Sequence, residues 1–362
     1  MNIKSNGQDW LYVNSIHYEI VKKSLAISYS DNVFERILEY EIQHQVEHLD
    51  VVEEQINSFI YKQYGKSYAS FFSDQSTEQH EILNNVLFHT YNFHKHHKKH
   101  FRFEENLTAM LLKTDLQNVD SSFIRLPFQS IYISVPTNSF KLTAEQEQYY
   151  VEGFYIHEVN LATFERDQVI KELGKGITKF IRILTILTPV DCEEQPSIED
   201  YNYITLNLRF KRGNVFEQLE ENFKRAGLTD FADQATEIFS FVINAIFYLN
   251  SSSQEVDYIE LKHEVEQGKT DENRSTRVSK IPYYAVGKTI VISKQGGKPT
   301  SENNMIQKET DKILDKQWLV RGHWRNQAHG EKLLLRKLIW IQPYLKGNLQ
   351  QPLLHTDYWA KP

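Results

Sequence analysis

Between Trp318 and Gly347 the chain reads WLVRGHWRNQAHGEKLLLRKLIWIQPYLKG, an unusual concentration of cations and aromatic rings. Arg321, His323, Trp324 and Arg325 belong to a first apolar-rich run, Trp318–Trp324 and its continuation. His329 and Lys332 fall in a polar connection holding Gly330, and Arg336, Lys337, Trp340, Tyr344 and Lys346 belong to a second run. Two such runs joined through a glycine predict a long hairpin. Side chains alternate along a strand, so Arg321, His323 and Arg325 would share one face while Val320, Gly322 and Trp324 take the other. A cationic face over packed rings can hold a phosphate, a carboxylate or a nucleobase, and the planar fork of arginine grips an oxyanion in two-point fashion. Arg321, His323, Trp324, Arg325, Gln327, Trp340 and Lys346 are the candidate binding residues. The competing reading is the solvated face of a structural hairpin.

Other stretches offer weaker chemistry. HKHHKKH, His94–His100, places His96 and His100 four residues apart, a spacing that lets two imidazoles face one ion on a helix. The interleaved Lys95, Lys98 and Lys99 repel a cation, so a solvated helix end is expected there and no metal site is assigned. The acidic connection VDCEEQPSIED, Val190–Asp200, is expected to be a loop, and the GKG triplet at Gly174–Gly176 a turn. The chain has no GxxxxGK[ST] loop, no GxGxxG after a strand, no HExxH and no GxSxG elbow. No catalytic residue and no cofactor is assigned, although a histidine such as His323, His329 or His157 could meet a distant carboxylate in space.

These residues need elements to hold them. A chain of 362 residues with 40% hydrophobic content can bury a large core. A lone cysteine, Cys192, excludes an intramolecular disulfide and fits a reducing compartment. No secretory signal is read at the start and no apolar run reaches the roughly 20 residues of a membrane span, so a cytoplasmic location away from membranes is expected. From Lys269 onward there are 17 Lys and Arg against 8 Asp and Glu, a net +9; with −7 for the whole chain, the first 268 residues carry −16. The basic end favours an anionic partner there, and the acidic remainder argues against a general nucleic-acid coat.

Apolar spacings of three and four from about Trp10 to Tyr64, and again from Thr77 through Tyr91, predict a helical N-terminal lobe, placed at residues 1–120. After it, alternation predicts strands at Phe128–Val135, Tyr149–Asn160, Ile177–Leu187 and Tyr203–Phe210, with another at Thr289–Ser293. Asn214–Ala226 and Asp230–Leu249 predict helices separated by Gly227. The second is apolar nearly all round, with Phe239, Val242, Ile243, Ile246 and Phe247 expected inside. Polar stretches at 263–280 and 294–304 read as loops. The expected class is α+β: the helical lobe, then at 121–362 a mainly antiparallel sheet backed by the buried helix and completed by the RGHW hairpin.

In order, the pieces LPFQSIYISVP, EGFYIHEVN, FVINAIFYLNSSSQEVDY, RGHWRNQ and LIWIQPYLKG resemble the family of the type V-A anti-CRISPR protein that lowers effector-nuclease messenger RNA. An LP-x-x-x-x-Y-(V/I) strand before a G-F strand, and RGHW before W-I-x-P, correspond here to Leu126–Ile133, Gly153 with Phe154, Arg321–Trp324, and Trp340–Pro343. The resemblance spans roughly Leu126–Gly347. It implies an anti-defence protein of phages and plasmids that binds a host or defence polypeptide, met during translation, and causes loss of its message. RNA or a ribosome-associated complex would be a further partner. The alternatives are a nucleic-acid-binding protein of phage or plasmid replication, and a nuclease using His323.

Overall fold

The computed structural model describes residues 77–136, 138–144, 147–163, 166–190, 202–228, 232–251, 254–259, 282–290, 317–320 and 322–347. The helices expected within 10–64, the acidic loop around Cys192, the loops at 263–280 and 294–304, and Arg321 lie outside the described residues. The described chain is α+β. Helix α1 (Thr77–Lys95) leads into strand β1 (His100–Phe103) and helix α2 (Glu105–Leu112). Strands β2 (Ser130–Ser134), β3 (Lys141–Ala144) and β4 (Glu147–Glu158) follow, then α3 (Arg166–Leu173), β5 (Lys179–Pro189) and β6 (Asn202–Phe210). Helices α4 (Val215–Arg225) and α5 (Ala232–Leu249) precede β7 (Val256–Ile259) and β8 (Tyr283–Val286). The hairpin region holds β9 (Gln317–Val320), β10 (His323–His329), β11 (Leu335–Ile341) and β12 (Tyr344–Gly347).

Eight strands form one sheet in the order β6-β5-β4-β2-β1-β8-β7, with β3 paired to β4. Pairing is antiparallel except around β1, which runs parallel to both β2 and β8. The strands expected from alternation correspond to β2, β4, β5 and β6, with ends displaced by up to two residues. The strand expected at Thr289–Ser293 does not start at Thr289: the chain turns at Gly287, whose φ is +79°, and Ile290 N–H returns to the Gly287 carbonyl at 3.2 Å. The neighbouring strand is β8 instead. Sequence reading also missed β1, which occupies the middle of the sheet although HFRF carries a basic residue within a cationic run.

The sheet has two unlike faces. Opposite partners in a ladder share a face, so Ile131, Ile133, Phe154, Ile156, Ile181 and Ile183 project to one side and Tyr132, Tyr155, His157 and Arg182 to the other. The aliphatic side packs under α5, whose Phe239, Val242, Ile243, Ile246 and Phe247 are all buried as expected. Phe241 lies at the centre, its ring 5.0 Å from Phe140, 5.9 Å from Phe103 and 6.1 Å from Phe154. Helix α4 is capped by Asn214, whose side chain accepts from Phe216 N–H at 2.8 Å. Its Asn222 grips Arg209 of β6 through both backbone groups. The aromatic and polar side packs against α1, where Phe93 meets Tyr155 at 5.4 Å and Phe88 meets His157 at 5.3 Å.

The hairpin does not complete this sheet. Among the described residues, strands β10 and β11 pair only with each other, as do β9 and β12. Val320 pairs with Tyr344 and His323 with Ile341, three residues on in one strand and three back in the other, so both ladders keep one register. It is a single long hairpin, interrupted where Asp115 N–H donates to the Gly322 carbonyl at 2.9 Å. The two tryptophans turn its base onto α5 rather than onto a sheet edge.

Replacing Phe241 by alanine should cost about 3–5 kcal/mol, read as a lower denaturant midpoint, because three rings would face the cavity. Burial holds His157 at a pKa of about 3 and His100 at about 3, below the ordinary 6.5. The unfolded chain therefore takes up these protons first, and the stability they contribute is present above pH 6.5 and declines as pH falls from there toward 3. Thermal unfolding across that range should show the decline.

Candidate functional site

The base of the hairpin is built from the most distinctive residues of its sequence. Trp324 and Trp340 oppose each other across the ladder and are both buried. Trp324 Nε1 donates to Asn244 Oδ1 at 2.7 Å, and its ring meets Phe247 edge-on at 5.5 Å. Trp340 Nε1 donates to Thr114 Oγ1 at 3.2 Å, and its ring meets Tyr248 at 5.3 Å. Asn244 Nδ2 in turn donates to the Leu111 and Thr114 carbonyls, each at 3.0 Å, and Thr114 Oγ1 donates to the Met110 carbonyl at 2.9 Å. The last turn of α2, the middle of α5 and the hairpin thus share one hydrogen-bonded knot, inside which polar groups gain strength from the low dielectric.

Glycine and proline in these motifs answer to the same packing. A Cβ on Gly322 would stand 2.7 Å from Thr114 Oγ1 and 3.2 Å from Pro343 Cδ, so only glycine lets the two arms close on Thr114. A Cβ on Gly153 would fall against the Ile133 carbonyl and 2.6 Å from Tyr132 Oη, at a point where the β4–β5 register shifts between Val151 and Gly153. The paired motifs at Tyr132 and Gly153, and at Gly322 and Pro343, are therefore contact pairs.

The candidate residues separate into two groups. Trp324 and Trp340 point into the core, while His323, Arg325 and Gln327 alternate onto the opposite face of β10 together with His329. Across the ladder that face continues through Ile341, Ile339, Lys337 and Leu335. Arg325 is exposed; His323 and Gln327 are half-buried, and Gln327 Nε2 donates to the Ala328 carbonyl at 2.9 Å. The structure thus brings His323, Arg325, Gln327 and Lys337 onto one face. Lys346 stands in β12, which pairs with β9 beyond the interruption.

Beyond the knot the hairpin is exposed on both sides. Every residue from Gly330 to Lys337 is exposed, including three consecutive leucines, Leu333 at 62%, Leu334 at 79% and Leu335 at 57%. Lys332 and Leu333 both adopt positive φ, +52° and +57°, a backbone conformation uncommon for residues that carry a Cβ. Lys332, Arg336 and Lys337 flank the leucines against a single acid, Glu331. Sequence reading assigned Leu335 to an apolar arm and passed over this tip. The available signal was KLLLRK itself, since three leucines in a row cannot all face one side of a strand.

The HKHHKKH stretch forms no shared ion site. Helix α1 stops at Lys95, His97 and Lys98 turn through positive φ, and Lys98 N–H closes the helix end on the Phe93 carbonyl at 2.8 Å. His100 is instead buried in β1, its Nε2 2.7 Å from Ser134 Oγ. Among the described residues no group of three metal-ligating side chains occurs, and no helix is long and apolar enough to cross a membrane.

Comparison with known proteins gives one family match: residues 101–347 match the model described as AcrVA2-like, anti-CRISPR type V subtype A2 family. Among solved structures, one titled "Crystal structure of AcrVA2" aligns with a TM-score of 0.46 and 11% identity, covering 93% of this chain and 98% of that one. No curated protein matches.

Asn244→Ala should open the knot, leaving the Trp324 N–H and the Thr114 carbonyl buried without partners, while the Leu111 carbonyl keeps the Thr114 N–H. At about 1–3 kcal/mol for a buried polar group left unmade, a loss of at least about 2 kcal/mol is expected in urea unfolding, whereas Arg325→Ala should stay within about 0.5 kcal/mol of the parent.

Proposed function

Because the chain belongs to the anti-CRISPR type V subtype A2 family, and is thereby an anti-defence protein of mobile elements, we propose that it works by capturing a polypeptide of the defence system through the outer part of its hairpin. The observation that carries this reading is the tip: Leu333, Leu334 and Leu335 exposed beside Lys332, Arg336 and Lys337. Water-exposed leucines at the end of a projecting ribbon are costly unless something covers them. A polypeptide surface with an apolar centre and acidic margin supplies both complements, and cations at its rim speed encounter more than they tighten the complex. The anchored base supports the same reading, since a rigid support lowers the ordering cost of binding.

Loss of the bound polypeptide's messenger RNA follows, in this proposal, from capture during translation; that step rests on family membership. RNA or a ribosome-associated complex is then met through the polypeptide. Arg325, Gln327 and His323, on one face of β10, extend the contact toward the knot, and Lys346 lies further along the same hairpin.

The test uses a variant with Leu333, Leu334 and Leu335 each changed to Ser, in cells expressing a type V-A effector nuclease. The parent protein should lower the effector transcript and co-purify its polypeptide after ribonuclease treatment. The triple variant should do neither, while its unfolding midpoint stays within about 2 °C because the leucines are exposed. Equal activity of the variant would remove the tip from the interface. Recovery of nucleic acid in place of polypeptide, with an affinity falling at about −0.9 in log salt per neutralised duplex phosphate, would favour a nucleic-acid-binding role.

A further inference from the structure

The second face of the sheet carries a cluster outside the hairpin. Ser130, His157 and Arg182 are direct cross-strand neighbours on β2, β4 and β5, so their side chains stand in one row. Helix α1 lays Asn85, Phe88 and His89 across that row. The Arg182 guanidinium carbon stands 3.8 Å from the Phe88 ring centroid, and Nη2 donates to Asn85 Oδ1 at 3.0 Å. His96 closes one side, its ring 5.9 Å from that of His157.

Its hydrogen bonding and charge are incomplete. Ser130 Oγ, His89 Nδ1 and His157 Nδ1 are buried without a hydrogen-bond partner, in residues exposed by only 1%, 1% and 6%. Among the described residues no carboxylate reaches Arg182; the ion pairs there are Lys179 with Glu158 and Arg102 with Glu104. Burial and the neighbouring charges hold His89 well below 6.5 and His157 near 3, and burial lowers Arg182 to about 10. Both histidines are therefore neutral at pH 7, and the fixed positive charge of the row is the one guanidinium, with Lys95 contributing at longer range to His157. Water could satisfy the ring nitrogens, yet it would leave that charge unbalanced in a poorly solvated place.

We infer that the row Ser130, His157, Arg182, with His89 above it, is a binding site for a carboxylate. The guanidinium fork matches a planar carboxylate, Phe88 holds its plane, and a hydroxyl and two neutral imidazoles supply further hydrogen bonds. A phosphate dianion would bring more negative charge than one guanidinium balances. The carboxylate can be a small free acid or an acidic side chain of a polypeptide; the site is separate from the hairpin and stands or falls independently of it.

Acetate, at constant ionic strength against chloride, is the direct probe. At pH 7 and 100 mM it should raise the unfolding midpoint of the full chain by about 2–4 °C, as ligand linkage predicts for a millimolar site. It should also shift the NMR ring signals of His89 and His157. A blocked tripeptide with a central aspartate should reproduce both effects if polypeptide side chains are the natural source, and neither if the source is a free acid. Arg182→Met should remove the acetate response without lowering the midpoint in chloride, since it deletes an unbalanced charge. The inference is overturned if acetate gives neither effect in the parent protein, if phosphate gives a larger one, or if Arg182→Met responds as the parent does. A clear drop of the Arg182→Met midpoint in chloride would likewise overturn it, by making the arginine structural.

Discussion

Asn244 has no solvent exposure and sits within the most apolar of the described helices, where an amide left alone would be strongly destabilising. Its oxygen takes the Trp324 N–H and its nitrogen reaches the Leu111 and Thr114 carbonyls, so its bonds go to two segments, the hairpin and the end of α2. The carbonyls it holds lie at the end of α2 and just past it: Leu111's also takes the Thr114 N–H, and Thr114's lies beyond the helix's own ladder. The same amide therefore finishes one helix, fixes the hairpin and locates both on α5. The knot thus ties the hairpin and the end of α2 to α5, while apolar packing holds α5 on the sheet, and a partly satisfied polar cluster in that place would be worse than none.

From that constraint follows a division of labour along thirty residues. Near the knot the hairpin is core: Trp324 and Trp340 bury their rings, and Gly322 and Pro343 close around Thr114. Ten residues away it is all surface, with leucines in water and backbone in the left-handed region. Stability alone explains the first part and not the second. A local feature that opposes stability on a rigid support is the arrangement expected of a contact surface.

Much of this was legible. The apolar run Ile238–Leu249 predicted a central helix, and Phe128–Val135 and Ile177–Leu187 predicted strands, which the structure places at Ser130–Ser134 and Lys179–Pro189. The hairpin was readable from its two apolar arms, and the family from RGHW and WIQP. The division within the motif was not: RGHW presents its cations first, yet its glycine packs on Thr114 and its tryptophan bonds Asn244, 208 and 80 positions away in the chain. Strand β1 was hidden because HFRF follows a helix end in a cationic stretch, and its place in the sheet is settled by parallel pairing with β2 and β8. The row at Ser130, His157 and Arg182 was hidden for the same reason, since three strands bring it together and no local spacing announces it. Long-range contacts of this kind leave residue types in the sequence without leaving a period.

Hydrogen exchange across the hairpin, free and with the effector polypeptide added, tests the central claim most directly. In the free protein the amides of β10 and β11 next to Trp324 and Trp340 should exchange only with global unfolding, and those of residues 330–335 rapidly. Added polypeptide should slow exchange at 330–337 and leave the base unchanged. Fast exchange at the base of the free protein, or protection on binding that spares the tip, would contradict an anchored ribbon that binds through its end.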